Sequence, residues 1–152
     1  MITRNYDPAV LWATMFPYEN ELKGFHPREW LEDEQNVCLT DGNGNFTLFQ
    51  RFSPEVVMGH YFLKARGREA LKLCEAFLEE IFTGPYDVSI IQGITPHTKL
   101  GALWMNKKLG FKSSGTVNTI AGSCELVVLS KLDWERRCRD MERTKANGRS
   151  VR

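Results

Sequence analysis

The run from Gly59 to Phe111, GHYFLKARGREALKLCEAFLEEIFTGPYDVSIIQGITPHTKLGALWMNKKLGF, constrains the fold more than any other feature of this chain. Gly67 punctuates it, and the apolar period then changes. Ala70, Leu71, Cys74, Phe77, Leu78, Ile81 and Phe82 recur at three- and four-residue spacing, the stripe of a core-facing helix. Gly84-Pro85 stops that helix. Asp87 to Ile94 reads as a short, mostly buried strand. A second helix is predicted from about Thr98 to Leu109, with Thr98 as a capping hydroxyl and Trp104 directed into the core. The order strand, turn, helix, strand, helix creates a locally parallel strand pair and a crevice, where a helix N-terminus and strand amides can receive an anion.

The flanks read as antiparallel structure. NVCLT and FTLFQRF flank the Gly/Asn/Asp cluster DGNGN, a hairpin signal. Ser53-Pro54-Glu55 makes a second turn into the strand VVMGHYFLKA, giving a meander. Phe111 to Asn118 and Cys124 to Lys131, joined by TIAGS, form a closing strand pair. Residues 6–35 predict one or two short helices broken at Pro17 and Pro27, with Trp12, Phe16, Trp30 and Leu31 facing inward. The expected fold class is α+β, a mostly antiparallel sheet with one parallel strand–helix–strand unit and helices on both faces. The expected organisation is one domain over residues 1–131, helical over 1–35 and built of sheet and helices over 36–131. A basic tail, helical or frayed, follows over 132–152.

Length and composition narrow the function classes. A chain of 152 residues with 42% hydrophobic and 26% charged residues suits one soluble domain with its own core. No run approaches the length of a membrane span, and MITRNYDPAVLW lacks a secretory h-region, so a cytoplasmic protein is expected. Cys38, Cys74, Cys124 and Cys138 show no paired short spacing, so no metal site is expected, and Cys74 reads as a small buried hydrophobe. Hydrolase, metalloprotease and phosphate-loop signatures are absent. The net charge of +1 hides an asymmetry: residues 1–35 carry seven acids against three bases, and residues 133–152 seven bases against four acids. The basic tail is a solvated end or a docking segment for protein or nucleic acid.

GALWMNKKLGF resembles the LYxKxGF segment of the GNAT superfamily of N-acetyltransferases, and KARGREA resembles that family's pyrophosphate loop, (Q/R)xxGx(G/A). The similarity covers roughly residues 36–131. The resemblance implies acetyl-CoA as cofactor, contacted by Phe62, Leu63, Lys64, Arg66, Gly67, Arg68, Ala70 and Asn106. Lys64 stands where the family has Gln or Arg, and Gly67 matches the first glycine. Glu69 replaces the usual Gly or Ala, a carboxylate costing about 1 kcal/mol beside a phosphate. Asn106 stands where the family has the tyrosine that protonates the departing thiolate, and Lys99 where it has an asparagine. Glu55, His60 and His97 are the nearby titratable groups, His60 read as a packed structural histidine, and none is assigned a catalytic role.

GITPHTKLGALWMNKKLGF also resembles acetyltransferase-like proteins of tailed bacteriophages. The departures at Glu69, Lys99 and Asn106 then favour a scaffold acting by protein contacts in head assembly or DNA ejection, with other phage structural proteins as partners and a place in the virion. The alternative is an acyl-CoA-dependent N-acetyltransferase whose acceptor is a small amine or a protein N-terminus.

Overall fold

The structure is a computed structural model that describes residues 1–15, 24–120 and 122–150, leaving aside the side chains of Thr14, Arg149 and Ser150. The expectations placed on Phe16, Pro17, Ala121 and Arg152 lie outside the described residues. Two compact units form, Met1–Asp87 and Val88–Arg152.

The first unit carries β1 (Thr3–Arg4), α1 (Pro8–Met15), α2 (Pro27–Glu32), β2 (Val37–Thr40), β3 (Phe46–Ser53), β4 (Val56–Phe62) and α3 (Gly67–Thr83). Its strands pair antiparallel in the order β1-β2-β3-β4, the meander that the turn residues predict. The short strand β1 has no counterpart in the sequence reading; two residues are too few to show a period. On one sheet face Cys38, Phe46, Leu48 and Phe62 meet Leu11 and Met15 of α1, with Phe25, Trp30 and Leu31 packed against them. Trp30 and Leu31 therefore face inward as expected. Trp12 does not: it is 49% exposed, because α1 turns Leu11 and Met15 to the core and the next residue lies about 100° around the helix. α3 buries Ala70, Cys74, Phe77, Leu78, Ile81 and Phe82, six of the seven stripe positions, and ends at Gly84, whose N–H reaches Glu80 O at 2.8 Å. Arg51 donates to the carbonyls of Tyr86 and Asp87, fixing the chain just beyond α3.

The second unit carries β5 (Ile90–Pro96), α4 (Leu100–Lys108), β6 (Lys112–Thr119), β7 (Gly122–Ser130) and α5 (Lys131–Ser150). Its strands pair antiparallel in the order β5-β7-β6. β5 begins three residues later than predicted and alternates half-buried with buried residues instead of being buried throughout. The reason is Asp87, which sits at φ +53 and so belongs to a turn, not a strand. The basic tail is helical as α5. Trp134 is buried in its first turn, and Ser130 Oγ accepts from Asp133 N at 3.1 Å. Among the described residues no helix is long and apolar enough to cross a membrane, and no cluster of His, Cys, Asp and Glu could hold a metal. The fold class is the expected one: mixed helices and strands, the strands mostly antiparallel.

Two groups of buried polar side chains bear on stability. Cys38 and Cys74 are buried free thiols, and burial pushes both up to about 12. Thr47 and Tyr61 are cross-strand partners on β3 and β4. Each buries a hydroxyl with no hydrogen-bond partner among the described residues. An unpaired buried hydroxyl forfeits its bond to water and gains nothing in return. Thr47→Val, which keeps the shape and the strand propensity, is therefore expected to stabilise the protein by about 1 kcal/mol. Differential scanning calorimetry reads this as a Tm about 3 °C higher; a lower Tm would show that the hydroxyl has a partner.

Candidate coenzyme site

Sequence and hairpin chemistry build the turn between β4 and α3. The tip of the β2–β3 hairpin is a compact Asx network: Asp41 Oδ1 accepts from Asn43 N (2.8 Å) and Asn45 N (3.2 Å), and Asn45 Nδ2 donates to Asp41 Oδ2 at 2.9 Å. That network aims the buried Asn45 side chain at the next turn of the meander. Its Oδ1 accepts from both Lys64 N (2.7 Å) and Ala65 N (3.0 Å). The Lys64 side chain lies across Gly44, where an added Cβ would stand 2.7 Å from Cε. Arg66 folds its guanidinium back over the turn, donating to Leu63 O at 2.7 Å and Ala65 O at 3.2 Å.

α3 then starts without a side-chain cap. Its N-cap, Arg66, makes no capping bond, and the first N–H groups of a helix have no partner within it. Gly67 sits at φ +61 and no heavy atom lies within 4 Å of where its Cβ would be, so the approach to these amides is open. Arg68 and Glu69 are exposed in the first turn. A carboxylate there is favourable to the helix dipole and competes with an incoming anion.

Of the residues assigned to a cofactor, Leu63, Lys64, Arg66, Gly67 and Arg68 gather at this turn. Phe62 and Ala70 bracket it from the core: Phe62 is buried and stacked on Phe46 with centroids 5.0 Å apart, and Ala70 is buried in α3. Asn106 stands in the second unit. It is buried in α4, donates from Nδ2 to Thr95 Oγ1 at 2.8 Å, and its carbonyl accepts from Phe111 N at 3.0 Å. Asn106 thus fastens α4 to the end of β5. Asn45 is the residue that sequence reasoning missed; it reads locally as a turn former, and its partners lie 19 and 20 residues away.

The second unit departs from expectation around α4. Its N-cap is Lys99, without a side-chain capping bond, and Thr98 is exposed. The buried position of α4 is Asn106, with Leu109 buried just past its end, and Trp104 is left 44% exposed with the Lys108 ammonium 6.0 Å from its ring centroid. Gly110 adopts φ +92 with Arg137 Cδ 2.9 Å from where a Cβ would be, so a side chain fits neither the backbone nor the space. His97 closes the end of β5: its N–H donates to Ser123 O at 3.1 Å, and Nδ1 lies 3.0 Å from Ser123 Oγ. His60 is exposed in β4, and Glu55 is exposed in the turn before it.

Removing the Asn45 side chain is expected to expose the role of the hairpin tip. Asn45→Ala leaves two backbone N–H groups without their acceptor, a loss of about 2 kcal/mol. Thermal unfolding should show a Tm lower by about 4–8 °C. Asn45→Asp keeps the acceptor but sets a carboxylate against Asp41, so it should recover only a fraction of the loss. Equal Tm values for wild type and Asn45→Ala would mean that water replaces the amide at no cost.

No protein-family model matches this sequence, and no curated protein matches it. Solved structures do. The chain is similar to the aminoglycoside acetyltransferase AAC(6')-Ib in complex with coenzyme A, at a TM-score of 0.66 and 22% identity over 90% of this chain and 98% of that one. The same enzyme with coenzyme A and kanamycin gives a TM-score of 0.66 and 20% identity, over 90% and 98% of the two chains. A point mutant of spermidine N-acetyltransferase SpeG from Vibrio cholerae gives a TM-score of 0.71 at 10% identity, over 91% and 99%. The fold is that of the GNAT acetyltransferases.

These findings overturn the head-assembly reading. The similar structures are acetyltransferases of aminoglycosides and spermidine, and nothing among them supports phage partners, DNA ejection or a place in a virion. The departure at Glu69 carries less weight than that reading gave it, because phosphate binding at a helix start is done largely by backbone amides, which a side-chain substitution leaves in place.

Proposed function

We propose that this protein is an acyl-CoA-dependent N-acyltransferase acting on a small amine. One observation carries the reading: α3 begins without a side-chain cap, behind an open glycine at φ +61 and between Lys64, Arg66 and Arg68. Neighbours of the same fold with coenzyme A bound support it. The residues present fit an anionic pyrophosphate, although the carboxylate of Glu69 opposes it in charge. The span 1–131 is read as one such domain, because the neighbours cover about 90% of the chain.

Coenzyme A supplies the acyl group as a thioester, a carbonyl activated toward amines. The chain's own role is to bind and orient. The amides of Gly67, Arg68 and Glu69 would hold phosphate oxygens, with Arg68 adding charge and Asn45 keeping the turn in shape. Asn106 is neutral and spends its amide on Thr95, so it gives no proton.

Isothermal titration with coenzyme A and acetyl-CoA tests binding, and release of free thiol from acetyl-CoA in the presence of spermidine or kanamycin tests transfer. Saturable binding with amine-dependent thiol release is the expected result. Absence of binding at millimolar coenzyme A would end the reading. Binding with transfer only to a peptide N-terminus would keep the chemistry and replace the acceptor class.

A further inference from the structure

The coenzyme reading leaves one cavity of the second unit unused. A groove of about 560 Å³ lies between α5 and the corner where α4 passes into β6. It sits at the end of the sheet where β5 begins: Lys112 pairs with Val128, which in turn faces Gln92. Gly110 shapes its floor. The missing side chain there lets the stem of Arg137 lie close, and the Arg137 guanidinium donates to Lys108 O at 3.0 Å.

The charges along this groove do not cancel. Four cations line it, Lys112, Arg136, Arg137 and Lys145, against two carboxylates, Asp133 and Asp140. Asp133 is shared: one oxygen lies 3.1 Å from Lys112 Nζ and the other 3.6 Å from Arg136 Nη1. One carboxylate between two cations leaves a positive charge over. Lys145 pairs with no acid among the described residues. Beyond Cys138 every described side chain of α5 is exposed. A few helical turns with nothing packed on them are marginal by themselves, so a ligand held between Lys112 and Lys145 would also order that end.

We propose that this groove binds a small polyanion carrying phosphate groups, held by Lys112 of β6 and by Arg136 and Lys145 of α5. The planar guanidinium fork matches a pair of phosphate oxygens, and each ammonium adds a compact charge. Asp140 opposes the ligand and limits its affinity. The binding needs nothing from the turn before α3, because every lining residue belongs to the second unit.

Limited trypsin digestion at constant ionic strength tests the site, since Arg139, Arg143 and Lys145 lie in the exposed end of α5. The probe is inorganic triphosphate, and the Gly67→Trp variant serves as the parent so that the α3 turn is obstructed. At about ten times its Kd the probe should slow cleavage in α5 about tenfold. Arg136→Gln combined with Lys145→Gln should weaken that protection about tenfold. Asp140→Asn should strengthen it about threefold, a gain that damage to the fold would not produce. ATP as a second probe separates the sources: stronger protection than triphosphate gives identifies a nucleotide ligand, and weaker protection a free phosphate chain. Either result supports the site. No protection at millimolar triphosphate overturns the proposal. So does protection indifferent to these substitutions, or matched by sodium chloride of equal ionic strength.

Discussion

Gly67→Trp should weaken coenzyme A binding at least about 100-fold, equivalent to about 2.7 kcal/mol, while changing the Tm by only about 3 °C. The asymmetry follows from where the glycine stands. Its φ of +61 lies in the left-handed region, at a cost of about 1–2 kcal/mol to a residue with a Cβ. No heavy atom lies within 4 Å of the Cβ position, so the side chain starts out in open space. The indole would fill the approach to the first amides of α3. Gly67→Ala carries the backbone cost with almost none of the obstruction and should weaken binding only a few-fold. Calorimetric titration of both variants, beside their melting curves, separates the effects. If Gly67→Trp binds coenzyme A as well as the wild type does, this turn is not the cradle.

Stability should fall steeply above pH 9. In the unfolded chain the thiols of Cys38 and Cys74 ionise near 9.0; in the folded protein burial holds them protonated to about 12. For Cys38 a hydrogen bond from Asn5 and the nearby Arg4 charge oppose that shift without cancelling it. The folded state therefore binds more protons than the unfolded state between these values, so unfolding is favoured as pH rises through the window. Below pH 9 the contribution is fully present. By pH 10.5 each thiol removes about 2 kcal/mol, at about 1.4 kcal/mol per pH unit. The buried Tyr61 hydroxyl, raised by burial and then by Cys74 and Glu75, acts in the same direction at higher pH. Urea midpoints at pH 8 and pH 10.5 measure the effect, and equal midpoints would show that these thiols reach solvent.

Elements whose logic is local were legible in the sequence. DGNGN marked the hairpin because Asn, Asp and Gly take turn conformations with little strain. The α3 stripe was read because six of its seven positions are buried. Residues whose role depends on distant partners were not legible. Trp104 has helical spacing, but which way α4 faces is decided by Asn106 and its bond to Thr95, 11 residues away. The start of β5 depends on the backbone angle at Asp87, a turn former whose conformation is set by its surroundings and which could equally begin the apolar run. Asn45 belongs visibly to a turn, whereas its hold on Lys64 and Ala65 exists only once β3 and β4 are paired. At the candidate site the glycine and its basic neighbours were readable. The lack of a side-chain cap on α3 was not, since Arg66 signals nothing either way.

The contact between Lys64 and Gly44 has a practical consequence for engineering. Any residue larger than glycine at the hairpin tip must push the lysine aside, and through Asn45 the same tip governs the backbone of the neighbouring turn. Loops grafted between Asp41 and Asn45 would therefore act as a tuning handle on the turn that leads into α3 and, under the proposed function, on its hold of the coenzyme.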